Sequence, residues 1–216
     1  RTLFSICSND ILNKQQISRL RNSDLGADSF MRKSRRQQLY RIDRFREYYK
    51  ELFSHSGLGQ IAKFTQHGTT SRLLHSVAVA YYSYRLALFT RLQFHLDDLV
   101  RGALLHDYFL YDAEDGDPAH KGHWTRHPSI AAENAGSEVQ LTRIEEDIIR
   151  KHMFPLTLQP PRYREGVVVS MIDKACSVYE FFKRREPYGQ ICREVLREEL
   201  EGSLKAFYLK LPAGES

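Results

Sequence analysis

The sequence predicts an all-α protein, a single bundle of amphipathic and buried helices. Three observations predict it. Apolar residues recur at helical spacing along most of the chain, no clean period-2 segment of useful length appears, and Pro and Gly fall at the edges of the helical stretches. Hydrophobic residues make up 42% of the 216, with 12 Phe and 12 Tyr, which is enough for a packed core.

In chain order, residues 1–33 mix polar residues around a Gly26 break and predict an arm, while 34–211 predict one helical domain. From Ser34 to Phe53, the residues Leu39, Ile42, Phe45, Tyr49 and Phe53 form a stripe on a helix that ends in the loop around Ser56, Gly57 and Gly59. Ser71 to Leu92 is mostly apolar, which predicts a central helix, and another runs from about Leu96 to Tyr111. The polar stretch from Asp112 to Pro118 continues as a loop to about Arg126, and Pro128 then suits the first turn of a helix ending near Gly136. Thr142-Arg-Ile-Glu145 reads as a capping box opening a helix through His152, which Pro155 stops. Pro160-Pro161 precede a long helix from about Arg162 to Arg185, and beyond Pro187 a last amphipathic helix runs to about Leu209.

The net charge of +5 is unevenly placed: residues 1–50 hold 12 Lys/Arg against 5 Asp/Glu, so the remaining 20 against 22 are slightly acidic. The basic run from Arg32 to Arg46, interleaved with Tyr40 and Phe45, has the composition of a nucleic-acid patch. Its apolar residues follow one helical stripe and no nucleic-acid motif accompanies it, so a solvated helix face is expected and a nucleic-acid partner is not. No apolar run approaches the roughly 20 residues that span a bilayer, so no membrane partner is expected. Cys7, Cys176 and Cys192 lack CxxC spacing, which argues against a disulfide framework or a cysteine metal site and fits a cytoplasmic protein.

Five residues stand out because they are ionisable within apolar helical runs. His75 lies inside Leu73-Leu-His-Ser-Val-Ala-Val-Ala80, and His106-Asp107 close the run that starts at Gly102. His152 shares a stripe with Ile144 and Ile148, and Asp173 ends Val167-Val-Val-Ser-Met-Ile-Asp173. An unpartnered buried carboxylate costs several kcal/mol, so two aspartates and three histidines in core-like settings need a common partner. Taken singly, each has a plain structural reading: a hydrogen-bonded core histidine, or an aspartate paired with Arg or capping a helix. Taken together they point to a bound divalent metal ion, and imidazole with carboxylate suits Fe, Mn, Zn or Ni.

The order His75, then His106-Asp107, then Asp173 resembles the H…HD…D signature of HD-domain metal-dependent phosphohydrolases. Arg72-Leu-Leu-His75 is similar to the lead-in of that signature, Ala103-Leu-Leu-His-Asp107 to its HD segment, and Met171-Ile-Asp-Lys-Ala175 to its last-ligand helix. The resemblance covers about residues 62–185. Asp107-Tyr-Phe-Leu110 departs from it, since many members have Gly-Lys after the HD pair.

The resemblance implies an HD-type helical bundle with a metal site at its centre. His75, His106, Asp107 and Asp173 would hold one metal. His127 and His152 stand where a two-metal branch of the superfamily has two further histidines, and with a bridging Asp107 they would hold a second; with one metal they would lie beside the ligands. His127 is expected just before a helix, because Pro128 follows it. The implied reaction is hydrolysis of a phosphoester or phosphoanhydride of a small phosphorylated substrate, a nucleotide by family analogy, by a metal-activated hydroxide. Asp107 and Arg72 would be catalytic, and Arg72, His67 and Lys174 would bind the substrate, with a structural pairing as the alternative for Arg72. Arg162 and Arg164 are candidates for a substrate mouth, while His120 and His123 are expected in solvent. HD-type folds with the same six ligands also host di-iron oxygenase chemistry, and a non-catalytic ligand-binding module is a third reading. A homo-oligomer is compatible with the chain.

Overall fold

The computed structural model describes residues 41–68, 70–90, 92–112, 122–182 and 188–196. The chain divides into two compact units, Arg1–Asp43 and Arg44–Ser216, and the second holds everything described below. The expected arm over 1–33, the beginning of the first helix, His120, the expected end of the long helix near Arg185 and the end of the last helix near Leu209 lie outside the described residues.

The fold is all-α, as the periodicity predicts. Helix α1, described over 41–55 with 44–55 in the second unit, leads into a 3-10 turn (Leu58–Lys63) and a short antiparallel hairpin of β1 (Thr65–His67) and β2 (Thr70–Ser71). Then follow α2 (Arg72–Thr90), α3 (Leu96–Leu105), α4 (His123–Glu138), α5 (Arg143–Lys151), α6 (Arg164–Phe182) and α7 (Gly189–Glu194). Two paired residues are too short a strand to leave a periodic signal, which is why the hairpin was not legible. Gly68, at φ +58, lies in its turn, in the left-handed region that glycine tolerates best.

α2 is central because it is apolar on most sides: Leu73, Val77, Ala78, Val79, Ala80, Tyr81, Tyr84 and Ala87 are all buried. α3 and α6 pack against it, α5 packs against both α3 and α6, and α4 lies on α5. From α1, Phe45 meets the rings of Tyr81 and Tyr84 at 5.4 and 5.7 Å between centroids. α3 and α5 come so close at Gly102 that an added Cβ would lie 2.7 Å from Cδ1 of Ile148.

Three helix ends differ from expectation, each for a local reason. α3 stops at Leu105 rather than Tyr111, because the carbonyls beyond it are taken by side chains. Asn134 Nδ2 donates to Tyr108 O (3.0 Å), and Arg72 Nη1 donates to Phe109 O (2.7 Å) and Tyr111 O (3.1 Å). α4 starts at His123, after Gly122 at φ +78, so Pro128 sits inside the helix and His127 does too. The proline removes only a bond to Trp124 O, in a first turn whose Trp124 side chain is 67% exposed, where water can serve. α6 starts at Arg164 rather than Arg162, because Asp147 Oδ2 on α5 accepts the N–H groups of Arg162 (2.7 Å) and Tyr163 (3.1 Å). The capping box on α5 is present as expected, and Glu145 also accepts Arg101 Nε at 2.5 Å, which ties α5 to α3. Among the described residues, no helix is long and apolar enough to cross a membrane.

Gly102→Ala tests the close approach of α3 to α5. Helix propensity favours alanine by up to about 1 kcal/mol, but forcing a methyl onto Ile148 should outweigh it and destabilise the fold by about 1–3 kcal/mol. Urea unfolding should show this loss and its partial recovery in Gly102→Ala/Ile148→Val. A more stable Gly102→Ala would mean that the two helices separate freely there.

Candidate metal centre

The bundle brings together all six residues expected as ligands. His75 comes from the first turn of α2, His106 caps the C-terminus of α3 with Asp107 next, and His127 comes from α4. His152 caps the C-terminus of α5, and Asp173 comes from the middle of α6. All six are buried. His75 Nε2 lies 3.1 Å from Asp173 Oδ1, and His106 Nε2 lies 3.8 Å from the same oxygen. Asp107 faces both ways. Its Oδ2 is 3.4 Å from His106 Nε2 and 3.9 Å from His75 Nε2, while its Oδ1 is 3.3 Å from His127 Nε2 and 3.4 Å from His152 Nε2. Two groups, His75 with His106 and Asp173, and His106 with Asp107 and His152, each place their ligand atoms within 4.8 Å of one another.

Every ring is held from behind. His106 Nδ1 donates to Ala103 O (2.7 Å), His127 Nδ1 to His123 O (2.9 Å) and His152 Nδ1 to Ile149 O (2.8 Å). A carbonyl only accepts, so these Nδ1 atoms carry a proton and each ring turns its Nε2 toward the centre. His75 Nδ1 lies 2.9 Å from Glu180 Oε1. Orientation of a ligand ring through its far nitrogen is the usual support of a metal site.

This arrangement fits a metal on its own terms. His127 Nε2 and His152 Nε2 are 2.9 Å apart, lone pair against lone pair unless a proton or a cation lies between them. His106 Nε2 and Asp107 Oδ1 are buried with no hydrogen-bond partner among the described residues. Buried polar atoms left without partners are what a divalent cation can satisfy.

Without a metal the cluster must balance its charge with protons. Burial works to discharge His75, but Glu180 and Asp173 outweigh it and hold its pKa well above 6.5. Burial likewise opposes His106, and Asp107 and Asp173 still lift it to about 9. Burial pushes both aspartates up, yet Asp107, beside His106, and Asp173, beside His106 and His75, are held well below 3.8. His152 is pushed down to about 4, chiefly by burial. Protonated His75 and His106 thus answer the carboxylates around them, and a divalent cation bound there would displace protons.

The other expected residues are placed as follows. Arg72 is fully buried rather than open to a substrate: besides Phe109 O and Tyr111 O it binds Gln66 Oε1 (3.0 Å), and its guanidinium lies 3.5 Å over the Phe109 ring. Its Nη2 has no hydrogen-bond partner among the described residues. His67 is half-buried, edge-on to His75 at 6.0 Å between centroids. Lys174 donates to Asp173 Oδ2 (2.6 Å) and His152 O (2.7 Å). Arg164 Nη1 reaches Gln93 O at 2.9 Å. His123, expected in solvent, is half-buried: it stacks on His127 at 4.6 Å, and its Nδ1 lies 2.8 Å from Tyr111 Oη. The misplaced start of α4 caused that error.

Two residues at the centre were not singled out from the sequence. Gln66 Nε2 donates to Asp107 Oδ2 at 2.6 Å and so links Arg72 to the ligand. Nothing marks a glutamine in a short hairpin. Glu180, fully buried behind His75, lies seven residues after Asp173 on the same helix, so an acid on the ligand stripe was the available signal.

The proton balance predicts a pH dependence. In the metal-free protein the raised His75 and His106 contribute stability fully below about pH 6.5, and this is lost as pH rises through about 9, where His106 releases its proton. The depressed aspartates contribute above about 3.8, and that is lost as pH falls through their low folded values. Metal replaces the protons, so the rise in Tm on adding Mn2+ should be larger at pH 9 than at pH 6, and chelation should reverse it. A Tm indifferent to Mn2+ at both pH values would argue against a metal centre. His127→Ala and His152→Ala should each lower bound metal by about one equivalent by elemental analysis, and unchanged stoichiometry in both would leave a single-metal site.

No protein-family model, no curated protein and no solved structure matches this chain.

Proposed function

We propose that this chain is a metal-dependent phosphohydrolase of the HD type that hydrolyses a phosphoester or phosphoanhydride of a small molecule, with a nucleotide as the substrate class suggested by the resemblance alone. One observation carries the reading: four imidazoles and two carboxylates, in the order H…HD…H…H…D, meet in one buried cluster, with Asp107 between His75 and His106 on one side and His127 and His152 on the other. His75, His106, Asp107 Oδ2 and Asp173 would hold one cation, and Asp107 Oδ1, His127 and His152 the other. Bound divalent cations supply Lewis-acid chemistry, acidifying water and drawing charge from phosphoryl oxygens.

The chain's own residues position that chemistry. Gln66 fixes Asp107 through Oδ2 and leaves Oδ1 for the two histidines on the other side. Lys174 takes Oδ2 of Asp173, so that Oδ1 faces His75 and His106. Arg72 acts through others: it orients Gln66 and holds the segment after Asp107 by two carbonyls. Its pKa, lowered to about 10 mainly by burial, leaves it charged at neutral pH, where it adds positive potential for an anionic substrate. His67 and Lys174, both half-buried next to ligands, are the proposed contacts to the substrate phosphate.

Asp107→Ala is the deciding variant, because one side chain serves both cation positions. Wild-type protein loaded with Mn2+ or Fe2+ should hydrolyse at least one member of a phosphoester and nucleotide panel, read by chromatography of the products. Asp107→Ala should fall to background on that substrate while its far-UV CD stays helical. Full turnover by Asp107→Ala would overturn the assignment. Oxygen consumption without hydrolysis of any panel member by wild type would replace hydrolysis by oxygenase chemistry and leave the metal centre standing.

A further inference from the structure

We propose that Glu180 is the positioning residue that makes the His75 end of the centre its high-affinity cation position; this rests on the metal-centre reading above. Glu180 lies two turns after Asp173 on α6, and Asp173, Cys176 and Glu180 form the buried edge of that helix. Its Oε1 accepts from His75 Nδ1 at 2.9 Å and from Tyr188 Oη at 2.8 Å. Its Oε2 is buried with no hydrogen-bond partner among the described residues. A carboxylate sunk this far is strongly disfavoured unless something positive lies nearby, and among the described residues its hydrogen bond toward the centre is to the His75 ring.

The contrast with the other three rings gives the inference its content. His106, His127 and His152 lean on backbone carbonyls, which are neutral dipoles. His75 leans on a carboxylate, and a charge-assisted bond at Nδ1 pushes more electron density onto Nε2 than a carbonyl does. The same end also has Asp173 to itself. The far end has His127 and His152 and shares only Oδ1 of Asp107. Coulomb attraction and ligand basicity therefore favour the same position, and Glu180 supplies charge there without touching the cation. Tyr188, itself buried, fixes the direction of Oε1, and its hydroxyl also reaches Cys176 O at 3.4 Å. A second donor on the same oxygen keeps the carboxylate turned toward His75.

The test is a Mn2+ titration of the metal-depleted full chain, with free Mn2+ read by EPR. Wild type should show two unequal binding steps. Glu180→Gln, which keeps size and an acceptor oxygen but removes the charge, should weaken the tighter step by about 10–100-fold and leave the looser one unchanged. In a His75→Ala background the same substitution should have no further effect, because its influence passes through that ring. His75→Ala should remove the tighter step and His127→Ala the looser. Equal weakening of both steps by Glu180→Gln, or no weakening, overturns the proposal. So do two equal steps in wild type, or loss of the tighter step in His127→Ala, and these two readouts decide even if Glu180→Gln does not fold. A wild type that binds no Mn2+ overturns the metal-centre reading and this proposal with it, whereas two steps untouched by Glu180→Gln overturn this proposal alone.

Discussion

A carboxylate cannot stay ionised in a helical core without positive charge around it, and most of the architecture answers that constraint at Asp107. Its two oxygens face two pairs of imidazoles, drawn from four helices. For Asp107 to point inward, α3 must end just before it, and the carbonyls left over must find donors. Arg72 from α2 and Asn134 from α4 provide them. The short hairpin that precedes α2 delivers Gln66 to the same side chain. Helix length, loop path and the burial of a charged arginine thus follow from one anion in the core.

Much of this was legible in the sequence, for a simple physical reason. Histidine and aspartate inside Leu-, Val- and Ala-rich helical runs are costly, so their positions mark where a common partner must sit. That logic singles out His75, His106, Asp107, His152 and Asp173, the resemblance to HD-domain proteins adds His127, and the fold brings the six side chains together. The capping box at Thr142 was equally plain, since its two hydrogen bonds are local in sequence. What was hidden depended on tertiary contacts. A proline inside α4 is tolerated because the bond it removes lies in an exposed first turn, and reading Pro128 as a first-turn residue misplaced both His123 and the setting of His127. For Arg72 the sequence leaves a substrate contact and a structural pairing both open, because only packing shows that Nε and Nη1 are used inward. Glu180 went unnoticed because single acids in helices are ordinary until their face is known.

The supports behind the ligands divide into two kinds. Three rings use carbonyls three or four residues earlier in their own helices, so their orientation is secured as soon as the helix forms. His75 instead depends on Glu180, 105 residues away, and on Tyr188 behind it. One part of the centre is therefore built locally and the other only when α6 docks on α2. α6 also closes the end of α5, since Ser170 and Lys174 both donate to His152 O.

His106 and His152 are each the residue that ends a helix, and each ring's Nδ1 binds a carbonyl in the last turn of that helix. The aligned peptides of α3 and α5 therefore present their partially negative termini to the same buried point. The backbone contributes an attraction for cations there that no mutation of a side chain can erase. It also couples the ion to the helices: a cation drawing electrons from Nε2 sharpens the Nδ1–H as a donor, so the bond that seals each terminus strengthens when the ion arrives. In this fold the ion would act as a shared stopper for two helices, and the last turns of α3 and α5 would be the first backbone to loosen when it leaves.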